Sequence, residues 1–166
     1  MAIRNRVDES GILSLDLGDL VQNDILSFDM HVHLWEGFVL REKPFRHALK
    51  ELLDADYQNR YVALFCSSDA VIPDWAWMLA TSRLTLLGAI VQCGNPEAVK
   101  EQLLLSNINN LDTTDFVDAR VVIKGCSEAG GPQALAQIIR KLQPVAQSIM
   151  YGEPCSTVPI FKRPKA

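Results

Sequence analysis

An apolar run, a thiol and a proline-opened helix occur twice in this chain, and that pattern limits the folds open to it. Tyr61-Val62-Ala63-Leu64-Phe65 ends at Cys66, and after a polar turn Pro73 opens an apolar helical stretch. Val121-Val122-Ile123 leads to Cys126, a glycine-rich turn and Pro132. Proline suits the first turn of a helix, and short apolar runs bounded by turn residues suit strands. Strands alternating with helices predict an α/β fold, with a largely parallel sheet flanked by helices.

The remaining chain fits this scheme. Residues 1–25 read as an N-terminal arm, in which 11–17 alternate like a short strand. Residues 27–35 alternate better: Phe28, Met30, Val32 and Leu34 share one face, and Asp29, His31 and His33 the other. Phe45, Ala48, Leu49 and Leu52 form the stripe of a helix that opens near Pro44. Residues 73–83 predict a second helix and 86–92 a buried parallel strand. Asn95-Pro96-Glu97 is a helix start, with a capping residue, a proline and an acid in sequence. Strands are predicted at 120–123 and 148–151, with a helix over 132–142 between them. Pro159 confines any strand over 156–161 to a sheet edge.

Residues 43–94 and 95–155 resemble two copies of one α-β-α-β unit. Cys66-Ser67 matches Cys126-Ser127, and Cys93 matches Tyr151, which makes Cys93 a core residue. Such a duplication predicts that 62–65 and 121–123 run parallel in one sheet.

Length and charge narrow the function. A chain of 166 residues suits a single domain over 1–166, large enough to hold a core without disulfides. Net charge is −4, and no cluster of basic residues precedes Lys162-Arg163-Pro164-Lys165, which argues against nucleic-acid binding. No run approaches the roughly 18–20 apolar residues that cross a bilayer, and no apolar segment follows the early charges as in a signal peptide. The expected setting is therefore a reducing cytoplasm. There cysteines read as buried thiols, metal ligands or nucleophiles.

Cys66 and Cys126 follow strands and precede helices, which places them at the carboxyl edge where α/β sheets bind ligands. A helix N-terminus also favours the thiolate. Cys155 follows the predicted strand at 148–151. Three thiols at one edge predict a soft-metal site, with zinc the first candidate and Asp69 the first choice of fourth ligand. Asp74 falls in a first helical turn, where an acid complements the dipole. Two other readings stay open. One is a cysteine-dependent enzyme using Cys66 or Cys126 as nucleophile, with an acid or histidine as base. The other is a non-catalytic interaction module whose thiols only pack, the common role of free cysteine. Trp75 and Trp77 face different directions on their helix, leaving one for the core and one for a cleft or a second copy in a homo-oligomer. His31 and His33 have metal-ligand spacing, and their string resembles the first metal strand of amidohydrolases. That barrel needs roughly 200 residues or more, so both histidines read as surface residues of a strand.

Cys66-Ser67-Ser68-Asp69-Ala70-Val71-Ile72-Pro73-Asp74-Trp75-Ala76, Lys124-Gly125-Cys126-Ser127 and Met150-Tyr151-Gly152-Glu153-Pro154-Cys155-Ser156-Thr157-Val158-Pro159 carry a further signal. Together with Asn5-Arg6-Val7 and Phe38-Val39-Leu40-Arg41-Glu42-Lys43, they resemble the bacterial family called domain of unknown function 2480, over nearly the whole chain. The resemblance implies no activity. It implies that Cys66, Cys126 and Cys155 form a set, and it does not extend to His31 and His33.

Overall fold

Two aspartates decide where the first long strands stop. The structure is a computed structural model that describes residues 5–7, 11–21, 24–124, 131–153 and 156–164. Strand β1 (Asn5–Val7) is followed by β2 (Ile12–Asp16) and a 3-10 turn, Leu17–Leu20. Strand β3 (Ile25–Asp29) leads into a second such turn, Met30–His33. The Asp16 carboxylate accepts a bond from the Gly18 N–H at 2.8 Å, and Asp29 accepts one from the His31 N–H at 2.9 Å. A carboxylate that bonds the backbone two residues on competes with the strand ladder and turns the chain. The alternation over 27–35 predicts one strand, but the strand ends at Asp29. Beyond it Val32 is 71% exposed instead of facing a core.

The chain divides into two compact units, residues 23–100 and a discontinuous unit of 1–22 with 101–166. In the 23–100 unit, β3 is followed by a small hairpin of β4 (Leu34–Trp35) and β5 (Val39–Leu40). Helix α1 (Glu42–Lys50), the single turn α2 (Asp54–Tyr57), β6 (Tyr61–Phe65), α3 (Asp74–Leu86) and β7 (Ile90–Cys93) complete it. Its sheet has the order β3-β6-β7, all parallel. Phe28, Phe45, Leu49, Val62, Leu64, Ala80 and Leu84 are buried together in one core. A fully buried Leu or Phe contributes about 1.5–3 kcal/mol relative to exposure. Helix α3 runs three residues beyond the predicted 83 and stops where Gly88 takes a φ of +84°. The strand predicted over 86–92 therefore shortens to β7. It lies at a sheet edge, with Ile90 45% exposed, and is not a buried strand.

Helix α4 (Pro96–Asn109) begins where Asn95 accepts a bond from the Ala98 N–H at 2.8 Å, the cap its sequence predicts. A 3-10 turn at Thr114–Phe116 precedes β8 (Arg120–Lys124), α5 (Gly131–Leu142), β9 (Ser148–Glu153) and β10 (Ser156–Lys162). The five-stranded sheet has the order β1-β2-β8-β9-β10. Its three inner strands are parallel, and both edges pair antiparallel. Leu15, Leu104, Ile108, Ile123, Ile138, Leu142 and Ile149 form the core of this unit. Ile12–Asp16, within the stretch read as an arm, is thus an interior strand. β10 is an edge strand, and its register shifts between Pro159 and Phe161, beside the residue that lacks an N–H.

The fold is α/β, with sheets flanked by five helices among the described residues and a main sheet that is largely parallel. One expectation is overturned: β6 and β8 lie in different sheets. Each pairs with its own aspartate-ended strand, Asp29 opposite Phe65 and Asp16 opposite Lys124. The order strand, 3-10 turn, then strand-helix-strand occurs in both units. It starts at β2 and β3, upstream of residue 43.

Candidate functional site

At the carboxyl edge of β3-β6-β7, Asp29 holds the turn that carries Cys66. Its carboxylate accepts the Ser67 N–H at 3.0 Å in addition to that of His31. Burial pushes the Asp29 carboxyl up, but the bonds from Ser67 and His31 and the charge of His31 outweigh it. The net pKa lies below the ordinary value of 3.8. Cys66 is half-buried just after β6, with its Sγ 3.4 Å from the Ser68 Oγ. Among the described residues, no imidazole or carboxylate is hydrogen-bonded to this thiol. Asp69 is exposed in the turn between β6 and α3. Asp74 sits in the first turn of α3, as its sequence position predicts.

The two histidines part company. His31 is exposed. His33, expected on the surface, is half-buried, stacked on Phe28 at 5.3 Å and edge-on to Phe45 at 5.2 Å. The 3-10 turn after Asp29 rotates it into this aromatic column, which continues from Phe45 to Trp75. Burial lowers the His33 pKa below 6.5, and the Asp29 charge only partly offsets this. Trp75 is partly exposed and Trp77 packs against the core, so the pair does face two ways. Cys93, expected in the core, is exposed because β7 is an edge strand.

Among the described residues, no three of His, Cys, Asp and Glu are grouped to hold a metal ion. Cys126 and Cys155 lie outside the described residues. The strands before the two cysteines are described. β8 ends at Lys124 and β9 at Glu153, and the two are parallel neighbours with Ile123 opposite Tyr151. Asp16 closes β2 opposite Lys124 on the other side of β8. Asp16 and Asp29 as turn-setting residues escape the sequence reading, although each closes an apolar run, Leu15-Asp16 and Phe28-Asp29. No helix among the described residues is long and apolar enough to cross a membrane.

No curated protein and no solved structure matches the chain. The family described as Protein of unknown function (DUF2480) matches residues 1–163. With a match over essentially its whole length, this chain belongs to that family.

Proposed function

We propose that the protein binds a thiophilic metal ion, zinc first, through cysteine thiolates at the carboxyl edge of a parallel sheet. The observation that carries the reading is the β8–β9 register. Cys126 and Cys155 each follow by two positions the last residue of neighbouring parallel strands, Lys124 and Glu153. Neighbouring strands are about 4.8 Å apart, so the chain leaves β8 at Lys124 and β9 at Glu153 at one edge of the sheet, and zinc takes cysteine thiolates as ligands. Cys66 and Asp69, which the sequence groups with Cys126 and Cys155, follow β6 in the 23–100 unit. Thiols release protons when they ligate, so affinity rises with pH.

The test is elemental analysis of untagged protein purified without chelators, beside Cys126→Ser, Cys155→Ser, Cys66→Ser and Asp69→Asn. Roughly one zinc per chain is expected, with loss in both Cys126→Ser and Cys155→Ser. The Cys66 and Asp69 variants show whether either residue belongs to the donor set. Wild-type protein that carries no metal, and takes up none from added zinc, would overturn the proposal.

A further inference from the structure

We propose that a groove beside α5 binds a small apolar carboxylate, with the carboxylate on Arg140 and the chain lying over the sheet. The groove belongs wholly to the discontinuous unit and has a volume of about 860 Å³. Pockets for small ligands span about 300–1,000 Å³. Ile123, Tyr151 and Ile160 come from β8, β9 and β10, and Leu135, Ile139 and Arg140 from α5.

The groove follows from how α5 packs. The helix buries Ala134, Ile138 and Leu142, while the adjacent stripe of Leu135 and Ile139 is only half-buried. β10 is the outermost strand of the sheet, and its Ile160 remains 51% exposed. Covering this apolar strip with a hydrocarbon chain removes it from water, which is favourable in proportion to the area covered.

Arg140 sets the sign of the ligand. Among the described residues it is the single charged residue of the lining, and its guanidinium has no carboxylate partner there. The planar guanidinium matches a carboxylate with two parallel bonds. A cation is repelled here, and a small inorganic anion gains nothing from the apolar walls. A peptide would bring a row of backbone donors and acceptors that few lining groups can meet. The Gln137 amide already donates to the Leu105 carbonyl at 2.8 Å.

The test titrates decanoate into the isotope-labelled full chain and follows backbone amide shifts. Saturable shifts confined to α5, β8, β9 and β10 are expected. Arg140→Gln, at an exposed position, should keep the folded spectrum and weaken decanoate about tenfold. Decan-1-ol should bind about tenfold more weakly than decanoate to the wild type, and equally to both proteins. Ala136→Phe, which fills the groove from the exposed side of α5, should abolish both. Absence of saturable shifts, shifts elsewhere, or decanol binding as tightly as decanoate would each overturn the proposal. Unchanged decanoate affinity in either variant would do the same.

Discussion

The burial that lowers the His33 pKa follows from where Asp29 turns the chain. The carboxylate ends β3 and starts the 3-10 turn, and the imidazole then packs between Phe28 and Phe45. Because its folded pKa lies below 6.5, folding favours the neutral ring. That contribution is complete above the unfolded value and is lost as pH falls through the folded one. Urea midpoints should therefore fall between about pH 7 and pH 5, and His33→Gln should flatten this part of the profile. An unchanged slope in the variant would assign the loss to other groups. Asp29 has the same sign at lower pH: its contribution is present above 3.8 and is lost as pH falls through its depressed folded value. Sequence alternation put His33 on a solvent face because it counted residues in twos across a point where the backbone had left the strand. The only warning was an aspartate, a residue that favours turns over ladders.

At the scale of elements, strands and helices with strong periodicity were legible and their ends were not. β6 was read over the residues it occupies, and Asn95 capped α4 as expected. The end of α3 and the start of β7 were misread because Leu86, Leu87, Ala89, Ile90 and Val91 form one apolar run. Only Gly88, at φ +84°, separates helix from strand. Glycines with positive φ also set up a contrast that tests the β9–β10 hairpin. At Gly152, φ is +122° and an added Cβ would lie 2.6 Å from the Ser156 carbonyl oxygen across the pair. At Gly131, φ is +55° and, among the described residues, nothing lies within 4 Å of an added Cβ. Gly152→Ala should cost about 2–4 kcal/mol, combining backbone strain with overpacking. It should also speed hydrogen exchange at Tyr151 and Val158, which face each other in the hairpin. Gly131→Ala should cost only about 1 kcal/mol. Equal losses in chemical denaturation would show that the close approach at Gly152 does not matter.

For the whole molecule, alternating strands and helices identified the class, but the number of sheets was hidden. Both thiol-bearing strands looked like partners because their flanks match. Their actual neighbours, β2 and β3, are five residues each and carry weak or truncated alternation. Cys66 was legible as a strand-end residue, and it is at such a position. Cys93 was misjudged because apolar neighbours imply burial only when the strand is interior, and β7 is not. Thiol chemistry at Cys126 and Cys155 is the central claim, and site-resolved alkylation reads it directly. Iodoacetamide labelling of reduced protein, with and without equimolar zinc, is followed for each cysteine by mass spectrometry. The account predicts that zinc slows labelling of Cys126 and Cys155 at least about tenfold, because a metal-held thiolate is a poor nucleophile. Cys93, exposed at the end of β7, should label at the same rate in both conditions. Equal labelling of Cys126 and Cys155 with and without zinc would contradict it.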